Sequence, residues 1–256
     1  LFRPHHERHQ LHYLRRILGR LTRPAAHVTS ARMNAIQQRG KFITFEGGEG
    51  AGKTTQIARL ADRLDALDIP TITTREPGGA PGADSIRSLL VSGATDKWDP
   101  VSEVLLLYAA RREHLNQTIR PALDRGAWVL CDRFADSTMA YQGYGHGISR
   151  DFIRTVHDEV VGTFNPDLTL ILDIPVDIGV GRAVSRNTST RSGEDRFERM
   201  DKSFHERLRE GFLDIAAGAP ERITVIDADS SPEVVTSTVW QTVSAKFDLN
   251  AQATPA

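Results

Sequence analysis

KFITFEGGEGAGKTTQ, residues 41–56, decides how the rest of the chain is read. The apolar and β-branched run at 41–46 predicts a buried strand, stopped by Gly47-Gly48. Gly47 to Thr54 then fits the spacing G-x-x-x-x-G-K-[ST], and Ile57, Leu60, Leu64 and Leu67 recur with a helical period. A glycine-rich turn between strand and helix lets backbone N–H groups close around phosphate oxygens, and the helix N-terminus adds positive potential. In that frame Gly47, Gly48, Glu49, Gly50, Ala51, Gly52 and Thr55 surround a nucleotide's phosphates. Lys53 reaches the β- and γ-phosphates and Thr54 holds Mg²⁺.

Outward from this loop, strands alternate with helices. PTITTREPGG (70–79), AWVLCD (127–132), DLTLILDI (167–174) and RITVID (222–227) predict four more strands. Helical patterns cover 53–67, 82–92, 149–162, 176–186, 199–217 and 232–246. Asp99-Pro100 caps a long helix that runs to Arg120 and closes at Pro121. Strands separated by helices predict parallel crossovers. The fold class is α/β: a P-loop NTPase fold with a five-stranded parallel sheet and helices on both faces, to which the resemblance given below adds a lid segment. Ligands in such sheets bind beyond the C-terminal strand ends, where Glu46, Arg75, Glu76, Asp132, Arg133 and Asp173 fall.

The charge is uneven. Residues 1–40 hold eight Arg, five His and one acid, Glu7, for +7, whereas 41–256 sum to −8. A mildly acidic body argues against a nucleic-acid binder. No stretch approaches the length of a membrane span. In the basic tail Leu11, Leu14, Leu18 and Leu21 alternate with Arg15, Arg16 and Arg20, an amphipathic pattern. It reads as a transit peptide, as a membrane-surface or nucleic-acid tail, or as upstream sequence included ahead of a start at Met33; the last is the reading favoured. The expected division is an extension at 1–38, disordered or not native, one P-loop domain at 39–250, in which the resemblance given below implies a lid at about 182–198, and a tail at 251–256. The single cysteine, Cys131, excludes a disulfide framework and fits a reducing compartment; it reads as a core residue. The His residues of the body show no metal spacing, and His146 reads as an exposed loop residue.

Among phosphate-loop proteins, a GTPase needs N-K-x-D, which is absent, and a motor needs a longer chain. A small-molecule kinase needs arginines to bring two anions together. They occur at strand ends (Arg75, Arg133), on the long helix (Arg111, Arg112) and in a cluster at 182–199. FEGGEGAGKTTQ (45–56), TREPGG (74–79), YAARREH (108–114), DRFADSTMAYQGYG (132–145), NPDLTLILDIP (165–175) and EDRFE (194–198) follow in that order. With these segments the chain resembles the bacterial thymidylate kinases over essentially all of 41–246, which implies transfer of phosphate from ATP to dTMP with Mg²⁺.

The resemblance implies roles residue by residue. Glu49 is the loop carboxylate that approaches the nucleotide ribose and phosphate. Arg75 and Arg133 hold the dTMP phosphate, as guanidinium forks do bidentately. Asp132 joins the Mg²⁺ shell. Arg111 hydrogen-bonds thymine, Ser137, Thr138 and Tyr141 surround base and ribose, and Tyr141 packs near C2′ and favours deoxyribose. Gln142 belongs to the same motif. Leu107 stands where the family commonly has a stacking Phe, which forfeits about 0.5–1.5 kcal/mol of aromatic stacking. With Gly50 after the carboxylate, the family type places the catalytic arginine on the lid, where Arg186 and Arg196 are the candidates beside Arg182 and Arg191. NTSTRSG (187–193) reads as a flexible stretch of that lid. The resemblance further implies a cytoplasmic homodimer, for which the helix at 101–119 (Val104, Leu105, Tyr108, Leu115) offers a face unless its stripe meets the domain's own sheet. Two other readings remain open: a P-loop kinase for another monophosphate such as dUMP or for a deoxynucleoside, and an inactive nucleotide-sensing module.

Overall fold

A computed structural model describes residues 39–190 and 196–249. The expected extension at 1–38, Arg191 and the tail at 251–256 lie outside the described residues, as does the side chain of Arg186. β1 (Phe42–Glu46), β2 (Thr71–Arg75), β3 (Trp128–Asp132), β4 (Leu168–Asp173) and β5 (Ile223–Asp227) form one parallel sheet in the order β2-β3-β1-β4-β5. Each lies within one of the expected strand runs. Among the described residues the helices are α1 (Lys53–Asp65), α2 (Pro81–Leu90), α3 (Pro100–His114), α4 (Arg120–Asp124), α5 (Ala135–Thr138), α6 (Arg150–Val160), α7 (Val176–Thr190), α8 (Lys202–Ala217) and α9 (Pro232–Lys246).

β1 is buried along its whole length, as a central strand covered on both faces must be. Its side chains alternate between two cores. Ile43 and Phe45 pack with Leu60 and Leu64 of α1 and Val239 of α9. Phe42 packs on the other face with Val104 and Tyr108 of α3 and Ile153 of α6. A third core joins Ile171 to Phe204, Leu208 and Phe212 of α8 and reaches Tyr141. The parallel register sets Asp132 opposite both Phe45 and Arg75, so three strand ends bring their functional residues to one edge.

Three expectations are corrected. The long helix does not close at Pro121. A wide π turn at Leu115–Ile119 leads into α4, with Pro121 in its first turn, where the missing N–H costs nothing. The motif at 132–145, to which the sequence assigned no helix, is helical from Ala135, α5 followed by a second wide turn at Met139–Gly145, and Gly145 lies so close to α8 that a Cβ would sit 2.5 Å from Phe204. Residues 187–190 of the expected flexible stretch continue α7. On α3, Val104 and Tyr108 are spent in the domain's own core, with Leu115 of the following turn, which leaves only Leu105 of the expected dimer stripe exposed.

Candidate active site

A cleft of 1310 Å³ opens along the C-terminal strand ends. It brings together Glu49 to Thr55 of the phosphate loop with Arg75, Leu107, Arg111, Asp132, Arg133, Ser137, Thr138, Tyr141 and Gln142. Gly47 and Gly48 lie beside it, against the end of β4.

At the phosphate end the loop turns through left-handed backbone at Gly50 and Gly52, with φ of +68° and +90°. A Cβ on Gly50 would meet the Gly179 carbonyl oxygen at 2.0 Å, so glycine is required there. Lys53 is buried, and its Nζ donates to the carbonyl oxygens of Gly48 at 3.0 Å and Gly47 at 3.3 Å. Burial and then the Arg133 cation push its ammonium below the ordinary value. Thr54 Oγ1 donates to Asp132 Oδ2 at 3.2 Å.

Arg133 follows β3 with φ +71°, a conformation that costs a non-glycine residue about 1–2 kcal/mol. The Cys131 thiol donates to its carbonyl oxygen at 3.0 Å; burial pushes that thiol well up, as befits a core residue rather than a nucleophile. The turn aims the guanidinium back at the loop. Its Nη1 donates to Gly47 O at 3.0 Å and Ser137 Oγ at 3.2 Å, and its Nη2 to Glu49 Oε1 at 3.0 Å. Tyr141 OH donates to the same Glu49 oxygen at 2.6 Å. Burial alone would raise the Glu49 carboxyl, but Arg133, Lys53 and the Tyr141 hydroxyl outweigh it and hold the group at about 2. Beneath them Glu46 is fully buried and accepts from Phe134 N–H and the Ser137 hydroxyl. Burial and then neighbouring Asp136 raise its carboxyl to about 8.

At the other end Arg111 is buried between the rings of Tyr108 and Phe134. Its Nε donates to Glu76 Oε2 at 2.8 Å, and its Nη2 to Thr138 Oγ1 at 2.9 Å and Phe134 O at 3.1 Å. Glu76 is held in turn by His114 Nδ1 at 3.0 Å, whose Nε2 lies 2.7 Å from Thr74 Oγ1. Gln142 Nε2 donates to Glu103 Oε1 at 2.7 Å. Three buried polar atoms remain without a partner here among the described residues, Arg111 Nη1, Gln142 Oε1 and, beside Glu103, His146 Nε2. Leu107 packs with Leu90 and Val91 at this end.

Arg196 is not where a catalytic lid arginine belongs. It is buried, and its nitrogens donate to Ala94 O at 3.0 Å, Leu90 O at 3.1 Å and Thr95 O at 2.9 Å, besides an ion pair with Glu103. Each of its three nitrogens already has a partner. Phe197 and Glu198, next along, line the cleft instead. Arg182 donates to Ala228 O. His146 is half-buried rather than exposed, its ring 4.9 Å from that of Phe204. Glu46, Glu76, Glu103 and His114 all buttress the site; the sequence placed Glu46 and Glu76 at strand ends without a role and did not single out Glu103 or His114. Their signal was an acid or histidine inside an otherwise apolar strand end or helix face.

The oxygen donors Thr54 Oγ1 and Asp132 suit Mg²⁺, a hard ion that keeps several waters and binds through one or two protein groups plus phosphate. Asp132 Oδ1 is buried with no partner among the described residues, which fits a further ligand there. No group of three or more His, Cys, Asp or Glu able to hold a metal occurs among the described residues, so a cage made of protein alone is not what this site offers.

Residues 45–239 match the family model described as thymidylate kinase. The chain belongs to the thymidylate kinase family. It is 54% identical over 210 residues to the thymidylate kinase of Caulobacter vibrioides, covering 82% of this chain and 99% of that protein. It is 51% identical to the thymidylate kinase of Bradyrhizobium diazoefficiens, covering 81% and 91%. The crystal structure of thymidylate kinase from Ehrlichia chaffeensis superposes with a TM-score of 0.64 at 36% identity, covering 80% of this chain and 99% of that one. The five-stranded parallel sheet is thus the P-loop fold of the thymidylate kinases, which are ATP-dependent phosphotransferases.

Proposed function

We propose that this chain transfers the γ-phosphoryl group of ATP to dTMP, giving dTDP for dTTP synthesis. One observation carries the reading: a single cleft is lined by the phosphate loop and also by two side chains with a buried polar atom left over, the donor Arg111 Nη1 and the acceptor Gln142 Oε1. One donor and one acceptor are what the O4 and N3–H of thymine call for. Leu107 covers the ring, and Ser137, Thr138 and Tyr141 line the ribose.

Gly47 to Thr55 wrap the ATP phosphates, and Lys53 exchanges its carbonyl partners for β- and γ-phosphate oxygens. Thr54 and Asp132 hold Mg²⁺, which when bound neutralises charge on the β- and γ-phosphates. Arg75, at the exposed end of β2, and Arg133 hold the dTMP phosphate. An oxygen of that phosphate attacks the γ-phosphorus, and the new P–O bond forms as the bond to the bridging oxygen of ADP breaks. The acceptor is already ionised at pH 7, so no general base is required and positioning with charge stabilisation carries the step. Glu49 receives the sugar hydroxyl, and Tyr141, bonded to Glu49, closes the space at C2′. Arg186 is the remaining lid candidate for the transferring phosphoryl group.

We place this activity in one domain at 39–250 with a lid at about 182–198, working in the cytoplasm as a homodimer. The exposed Leu89, Val101 and Leu105 on α2 and α3 support such a face. A coupled assay of ADP release by the full chain with ATP, Mg²⁺ and a panel of monophosphates tests the reading. dTMP is expected to exceed dUMP, dCMP and thymidine; preference for another acceptor would overturn it.

A further inference from the structure

Three buried side chains from distant parts of the chain meet at the base end of the cleft. Glu103 lies in the first turn of α3, Gln142 in the wide turn after α5, and Arg196 near the C-terminal end of the lid segment. Each is 1% exposed. Arg196 is locked on three sides by the carbonyl oxygens of Leu90, Ala94 and Thr95, and its Nη1 pairs with Glu103 Oε2. Glu103 Oε1 accepts from Gln142 Nε2 at 2.7 Å. His146 Nε2, 3.9 Å from the same oxygen, is too far to bond it.

We propose that Glu103, clamped by Arg196, is the positioning residue that fixes which way the Gln142 amide points, and so makes the cleft select thymine over cytosine. The inference rests on the dTMP reading above and adds to it the origin of the base preference. A carboxylate paired with a guanidinium has acceptors only. It draws the NH₂ of Gln142 to itself and leaves the amide oxygen for the base. The opposite orientation would set oxygen against oxygen in a buried place, where an unmet polar group is costly. With Arg111 of the same cleft supplying a donor, the cleft offers one donor and one acceptor, which O4 and N3–H satisfy. Cytosine presents an amino group to the donor and a bare N3 to the acceptor, a mismatch at both positions. An amide alone carries both functions and would read either base. The preference therefore resides in the ion pair behind it, which accounts for an arginine whose three nitrogens are engaged by Glu103 and backbone carbonyls.

The test is Glu103→Gln in the full chain. A neutral amide donates as well as accepts, so Gln142 is freed to turn over. The ratio of kcat/KM for dTMP to that for dCMP is expected to fall about tenfold. The ratio for dTMP to dUMP is expected to stay unchanged, because uracil has the same O4 and N3–H edge. In a Gln142→Leu background the Glu103→Gln change should shift the dTMP to dCMP ratio no further. An equal loss on all three monophosphates, or a shift that persists in the Gln142→Leu background, would overturn the proposal. If Glu103→Gln does not fold, the side-chain amide protons of Gln142, assigned in NMR spectra by their loss in Gln142→Leu, decide. They should be protected in the free protein and unmoved by dTMP; their capture by dTMP would overturn it. A wild-type preference for a monophosphate other than dTMP would instead sink the underlying reading.

Discussion

The two ends of the cleft hold their charges differently. At the phosphate end the Arg133–Glu49 pair is about one-sixth exposed, with side-chain values of 16% and 15%, and Lys53 rests on backbone carbonyls. Those partners can be traded for phosphate oxygens. At the base end the Arg111–Glu76 and Arg196–Glu103 pairs are almost sealed, with exposures of 1–4%. Those carboxylates are scaffolding: they occupy part of a side chain so that one defined atom is left over. A site that binds a common, highly charged group can use exchangeable partners and backbone. A site that must distinguish similar rings needs side chains with no freedom to re-pair.

The largest effect is expected where charge is handled. Lys53→Ala should lower kcat by about 1000-fold with the fold retained by circular dichroism, since Lys53 stabilises the phosphates in flight. Turnover that survived would take the phosphate end out of the comparison altogether. Next comes the base end. Arg111→Met should raise KM for dTMP by about 100-fold while KM for ATP stays within about twofold. A parallel rise for both substrates would break the claim that the ends work separately. The smallest effect belongs to Glu46, beneath the phosphate end. Its carboxyl is raised from 4.5 to about 8, so the folded state holds its proton more tightly than the unfolded chain does. Its contribution is complete below pH 4.5 and is lost as pH rises through about 8. Glu46→Gln should therefore flatten the decline of Tm between pH 5 and 9, and an unchanged slope would refute the assignment.

The contrast also governs what was legible in the sequence. The phosphate loop is contiguous, and its glycines and Lys53 are required by backbone geometry, so eight adjacent residues carried the reading. The strands were legible because β1, β3 and β4 are nearly continuous apolar runs, as buried parallel strands are. The helical turn at Met139–Gly145 was not assigned from the sequence: its two glycines disfavour a helix, and the packing that requires Gly145, against Phe204, comes from a distant segment. Arg196 is the instructive case. One more arginine in a basic cluster looks like a phosphate ligand until Glu103, distant in sequence, and three backbone carbonyls are seen to occupy it. Pairings between remote segments leave no local pattern.

The shared register of β1, β2 and β3 gives the domain an uneven tolerance to splicing. Removing one residue within β3 would draw Asp132 back by about 3.3 Å and turn every later side chain in the strand to the opposite face. The turns entering the strands, 66–70, 125–127 and 218–222, lie at the far edge of the sheet from the cleft. Tags, inserted domains or new chain ends for a circular permutant belong there, where added length leaves the paired strand ends in step.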